Sequence, residues 1–239
     1  MKAIILAGGK GARLAPYTTV LPKPLMPVDD RPILDIVIRQ LITHGVSEII
    51  ISVGYLAELL EAYFQDGSKI GIPIKYARES EPLGTAGPLS LIAKEFDLSE
   101  PFLMMNGDVL TTVNYRNLIS HHSDNEAALT IAMHTKQEKV NLGVMHVNDR
   151  NELTDYIEKP VLDYNVSMGI YVCDPVVLVF IEPDVRLDFN DLVLRLLAEK
   201  QRVIAYPSSD YWLDIGRPDD YQKATETFIE HRAEFLGEE

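Results

Sequence analysis

The alternation of short apolar runs with helix-period segments constrains this chain more than any other feature. "KAIILA" (2–7), "EIIISV" (48–53), "PIKYA" (73–77) and "FLMMN" (102–106) are short, mostly apolar, and bounded by glycine, proline or polar residues. Such runs suit strands buried on both faces. Between the first two, Ile33, Leu34, Val37, Ile38 and Leu41 recur at helical spacing, with Gly45 as a stop. "LAELLEAYF" (56–64) and "PLSLIAKEF" (88–96) are further helices. Thr85 is expected to cap the second of these, with Pro88 tolerated in its first turn. Alternating strands and helices predict an α/β fold on a parallel, doubly wound sheet with right-handed crossovers.

The second half reads differently. "AALTIAMH" (127–134), "GVMHV" (143–147), "ELTDYI" (152–157) and "VSMGIYV" (166–172) are strand-like, with no long helix between them, so antiparallel pairing is expected. His121 and His122 fall on a helix before these strands. His134 and His146 lie on the strands themselves and read as structural. "DFNDLVLRLLAEK" is an amphipathic helix and "RVIAY" a strand; Pro218 opens a final helix expected to reach about Phe235, after which "GEE" is expected to fray. Neither an internal repeat nor a low-complexity segment interrupts the pattern. The prediction is one α/β domain over 1–239, a Rossmann-like doubly wound mixed sheet with an inserted antiparallel portion, its two halves meeting near residue 110.

The formal net charge of −14 opposes binding to nucleic acid or an anionic membrane, since both require a basic surface. No apolar run approaches the roughly 20 residues of a membrane span. "MKAIILAGG" is too short, and too soon glycine-rich, for a signal peptide, and the lack of any possible intramolecular disulfide makes a reducing cytoplasm the expectation. A single cysteine, Cys173, rules out an intramolecular disulfide and reads as a buried thiol on a strand. The sequon at Asn165 is a chance match in that setting, and Asp66 in "QDGS" reads as a turn residue.

An acidic chain that handles phosphates must concentrate its cations, and one segment does so. "GGKGARLAPYTTVLPKPLMPV" (8–28) follows the first strand, which ends in Leu6 and Ala7. Gly8, Gly9 and Gly11 admit either a tight turn or a cradle of backbone N–H groups around an anion. The Walker string is absent, and Leu14 stands where a dinucleotide fingerprint needs glycine. Arg13 and Lys23 lie in the same connection, and Pro22, Pro24 and Pro27 restrict the backbone around Lys23. A connection of this length in a compact domain is usually functional.

This segment resembles the signature of the sugar-1-phosphate nucleotidylyltransferases, closest to the guanylyltransferase members. The resemblance continues in family order through "EPLGTAGPL", "NGD", "EKP", "GIYV" and "WLDIG". It implies a Rossmann-like fold, and a reaction joining a nucleoside triphosphate to a sugar 1-phosphate with release of pyrophosphate. The nucleotide half would run to about residue 110 and the sugar-phosphate half from there onward. In that reading the glycines cradle the triphosphate, together with Leu6, Ala7, Gly84 and Thr85. Arg13 lies on the leaving pyrophosphate, Lys23 bridges phosphates, and Asp108 and Asp214 hold Mg2+. Lys159 takes the sugar phosphate and Glu158 the sugar hydroxyls, while Gly143 and Gly169 let the backbone approach the sugar. The match loosens at Asn165 and Ser167, either of which could serve a hydroxyl.

The base is read from chemistry. Guanine offers two adjacent donors, and a carboxylate accepts from both, so Glu79 or Glu81 in "ARESEPLG" points to GTP unless both are solvated loop charges. The sugar would be mannose- or heptose-like. Two alternatives stand: a thymidylyl- or uridylyltransferase acting on glucose 1-phosphate, and a silent nucleotide- or sugar-sensing subunit. Retention of Arg13, Lys23, Asp108, Lys159 and Asp214 argues against the second. A homo-oligomer is admitted by the sequence, not specified by it.

Overall fold

The computed structural model describes residues 1–237; Glu238 and Glu239, part of the segment expected to fray, lie outside the described residues. The strands are β1 (Lys2–Ala7), β2 (Pro27–Val28), β3 (Arg31–Pro32), β4 (Glu48–Val53), β5 (Ile74–Arg78), β6 (Phe102–Asn106), β7 (Val109–Thr111), β8 (Leu129–Lys139), β9 (Gly143–Val147), β10 (Leu153–Glu158), β11 (Val161–Cys173), β12 (Val203–Ser208) and β13 (Trp212–Asp214). The helices are α1 (Ile33–Thr43), α2 (Ala57–Phe64), α3 (Pro88–Glu95), α4 (Tyr115–Asp124), α5 (Phe189–Ala198), α6 (Pro218–Glu230) and α7 (Arg232–Leu236).

A seven-stranded sheet has the order β12-β8-β11-β6-β1-β4-β5. β1 pairs in parallel with both β4 and β6, and β4 with β5. β11 runs antiparallel to β6 and β8, and β12 closes that side parallel to β8. The fold is therefore the expected mixed, doubly wound α/β sheet with an antiparallel portion. After β1 the chain builds outward through β4 and β5, then returns to add β6 on the other side of β1. The carboxyl ends of β1 and β6 thus form a topological switch point, where open α/β sheets bind ligands.

Both faces of the sheet are covered, which explains why β1 is apolar without alternation. Ala3 and Ile5 pack with Leu34, Val37, Ile38, Leu60 and Leu118 of α1, α2 and α4 on one face. Ile4 packs with Leu89, Ile92, Leu192 and Leu196 of α3 and α5 on the other. A third cluster joins Phe228 and Phe235 to Leu14, Met26 and Ile215, so the C-terminal helices brace the long loop after β1.

Two expectations need correction. Thr85 does not cap α3, whose first turn follows Gly87 without a side-chain cap. Its hydroxyl instead accepts from the Phe189 N–H at 2.7 Å, capping α5 from across the chain. The final helix also stops early: α6 ends at Glu230, and His231 (φ −121°, ψ 27°) separates it from α7. The bend brings Phe235 back onto Phe228 and Tyr211, at ring separations of 5.7 and 5.6 Å. Packing makes this break, and no glycine or proline signals it. Cys173 is fully buried on β11, as expected, and burial pushes its thiol well above the usual range. Asp66 closes its turn by accepting from the Ser68 N–H at 3.0 Å.

Candidate active site

A cleft of about 480 Å³ opens at the switch point. Leu6, Ala7, Gly8, Gly9, Gly11, Arg13, Lys23, Glu79, Gly84, Thr85 and Asp108 all line it, so every residue assigned to the nucleotide from the sequence faces one space. The lining also includes Ala12, Pro24, Pro82, Asn106 and Gly107, which sequence reasoning left without a role.

The loop after β1 is folded onto itself. Gly11 adopts φ +60°, a conformation that a β-carbon disfavours, and a β-carbon there would stand 2.9 Å from the Thr18 methyl and 3.3 Å from Lys23 Cβ. The Thr18 hydroxyl donates to the Gly11 carbonyl at 2.9 Å. The proline segment forms a short 3-10 turn over Lys23–Leu25, with Pro22 extended before it. Lys23 is consequently buried, at 8% exposure, with its ammonium aimed inward. Gly9 has nothing within 4 Å of its missing side chain, which leaves open space toward the cleft.

Lys23 donates to Asp108 Oδ2, and its Nζ lies 3.9 Å from Asp214 Oδ1. Asp108 follows β6; Asp214 ends β13, which pairs antiparallel with β7 directly after Asp108. The two carboxylates therefore share one ammonium. Asp108 Oδ1 is buried without a hydrogen-bond partner among the described residues. Loss of water, and next the Asp108 charge, push the Asp214 carboxyl above its usual range, while Lys23 and Arg13 pull it down. Arg13 is exposed and makes no hydrogen bond or ion pair among the described residues; its guanidinium lies against Gly216, 3.3–3.4 Å from where a β-carbon there would stand. No group of three potential metal ligands occurs among the described residues.

The sugar-side candidates are placed elsewhere. β9 and β10 form a separate two-stranded ribbon, and β8 and β11 continue past the core into an exposed arm. Glu158 and Lys159 are exposed at the end of β10; their ion pair measures 3.6 Å, and the Tyr156 hydroxyl donates to Glu158 at 3.2 Å. Tyr156 also fills the side-chain space of Gly143, 2.1 Å from a β-carbon there. Asn165 accepts from the Thr135 hydroxyl across the arm at 3.1 Å. Ser167 accepts from the Gly169 N–H and donates to the Tyr171 hydroxyl, both at 3.2 Å, where β11 slips register against β8. None of these five lines the cleft. Gly169 alone approaches it, its backbone packed on the side chain of Asn106. Trp212 donates to the Met168 carbonyl at 2.9 Å and packs on the core.

A family profile described as Nucleotidyl transferase matches residues 2–231. The chain belongs to the nucleotidyl transferase family. Within the family, the mannose-1-phosphate guanylyltransferase catalytic subunit beta of Drosophila pseudoobscura pseudoobscura is 34% identical over 224 residues, or 92% of this chain and 60% of the relative. The chain thus spans about 60% of the length of that curated relative. The structure of HddC from Yersinia pseudotuberculosis complexed with GMP-PN is 26% identical, with a TM-score of 0.73 over 95% of this chain and 99% of that one. UDP-glucose pyrophosphorylase complexed with UDP-glucose, 21% identical over 96% of this chain and 98% of that one, shares the fold at a TM-score of 0.72. No helix among the described residues is long and apolar enough to cross a membrane.

Proposed function

We propose that this chain transfers a guanylyl group from GTP to a mannose- or heptose-type sugar 1-phosphate, with Mg2+, releasing pyrophosphate. One observation carries the reading: Arg13, Lys23 and Asp108 share a cleft with a glycine loop and with Glu79, a carboxylate suited to guanine. The similarity to a Drosophila mannose-1-phosphate guanylyltransferase subunit and to a protein solved with GMP-PN supports the guanine and mannose choices.

A sugar phosphate is ionised at neutral pH and needs no general base. Its oxygen bonds to the α-phosphorus while the bond from that phosphorus to the bridging oxygen breaks, and pyrophosphate leaves with the electron pair. Catalysis then rests on bringing two polyanions together and neutralising the leaving charge. Arg13, which makes no hydrogen bond or ion pair among the described residues, is available to the leaving pyrophosphate with its planar fork. Lys23, fixed by its turn, sets a positive charge against the phosphates without ordering a free side chain first. Asp108 and Asp214 fit a divalent cation: both are acceptors, one buried oxygen has no partner among the described residues, and crowded carboxylates are what a cation relieves. Magnesium bound there would neutralise phosphate oxygens. Lys159 and Glu158, on their exposed ribbon, would take the sugar phosphate and hydroxyls.

The test is pyrophosphate release with five nucleoside triphosphates crossed against glucose, mannose and heptose 1-phosphates. The expected result is release with GTP and mannose or heptose 1-phosphate, abolished by chelation. Release with none of the pairs overturns the enzyme reading; preference for dTTP or UTP overturns the choice of base.

A further inference from the structure

Ser52 is a fully buried hydroxyl in the otherwise apolar end of β4, and nothing in the reaction above uses it. It lies beside Leu6 of β1 and Ala77 of β5 in the sheet. Its Oγ donates to Glu79 Oε1 at 2.9 Å, and the Leu83 N–H donates to Glu79 Oε2 at 2.9 Å. Each carboxylate oxygen therefore holds one fixed donor from the protein and keeps acceptor capacity for one more. Gly8 completes the seat: a β-carbon there would stand 2.7 Å from Glu79 Oε1, so the bare glycine leaves room for the carboxylate.

We propose that Ser52 is a positioning residue for base selection, holding the Glu79 side chain so that one carboxyl oxygen faces each guanine donor at once. This rests on the guanine reading of Glu79. The two acceptor oxygens match the paired donors of guanine, whereas in uracil and thymine they would meet the carbonyl oxygens that flank the N–H. Without Ser52 the group pivots about the oxygen tied to Leu83. It can still meet N1–H, but it no longer presents the second oxygen to the exocyclic amine.

The experiment measures binding to the full chain, independently of turnover, for GTP, ITP and inorganic tripolyphosphate. ITP keeps N1–H and lacks the amine; tripolyphosphate reports the phosphate cradle alone. The wild-type chain is expected to prefer GTP over ITP, and Ser52→Ala to reduce that preference about tenfold with tripolyphosphate unchanged. Ser52→Thr, which retains the hydroxyl, is expected to restore the preference. An unchanged GTP/ITP ratio in Ser52→Ala, or equal weakening of all three ligands, overturns the proposal. If Glu79→Gln abolishes the preference while Ser52→Ala does not, the guanine reading stands and the role of Ser52 falls. A wild-type chain indifferent to the amine overturns both.

Discussion

Asp108 Oδ1 is a buried carboxylate oxygen with no hydrogen-bond partner among the described residues, a state that costs roughly 1–3 kcal/mol or more unless a ligand completes it. Asp108→Asn keeps the shape and removes the charge. It is expected to lower turnover at least about a hundredfold, the scale of a lost electrostatic contact at a transition state, while the melting temperature stays within a few degrees. Near-normal rates of pyrophosphate release would remove Asp108 from the proposed metal site. Lys23→Met is a different experiment, because it leaves Asp108 and Asp214 facing each other without their shared ammonium. Turnover is expected to fall comparably, measured at saturating nucleotide. Of these residues the sequence shows Lys23 between prolines and Asp108 after a strand, but not that the lysine reaches back to both acids. That contact joins positions separated by 85 residues and depends on the sheet bringing β6 beside β1.

Among the elements, Thr85 ties the segment before α3 to the start of α5. Its hydroxyl caps α5, so Thr85→Val is expected to cost about 1 kcal/mol, typical of a lost cap. Hydrogen exchange should show faster opening at the start of α5, with α3 unaffected; faster exchange confined to α3 would restore the sequence-based reading. The sequence offered threonine ahead of a helical pattern, and local rules could not weigh a helix start more than a hundred residues away. Phe235 makes the same point for α7. It is buried beneath the loop that carries Leu14 and Met26, so Phe235→Ala is expected to destabilise the chain by roughly 3–5 kcal/mol in urea unfolding. It should also raise the KM for nucleotide, because the braced loop supplies Arg13 and Lys23. The long strands and α1 were legible because β1 and α1 bury nearly every apolar position their patterns mark. The short pair β7 and β13 was not legible, since strands of three residues carry too little periodicity to detect.

For the whole molecule, the net charge is −14, and the cleft sets Arg13 and Lys23 beside the acids Glu79 and Asp108. The sheet order places the glycine loop, Lys23 and Asp108 at one switch point, and the residues that the motifs assign to the nucleotide all line one cleft. The sugar side was named from "EKP" and "GIYV", yet Glu158 and Lys159 stand on an exposed ribbon outside the cleft, because β8 and β11 outrun the core that supports them. The central claim is attack on the α-phosphorus of GTP by a sugar phosphate. Phosphorus NMR of the chain with GTP, mannose 1-phosphate and magnesium tests it most directly. Loss of the triphosphate signals is expected, with matched growth of a coupled diphosphate diester and free pyrophosphate. Formation of GDP with orthophosphate, or unchanged GTP with every sugar phosphate supplied, would contradict it.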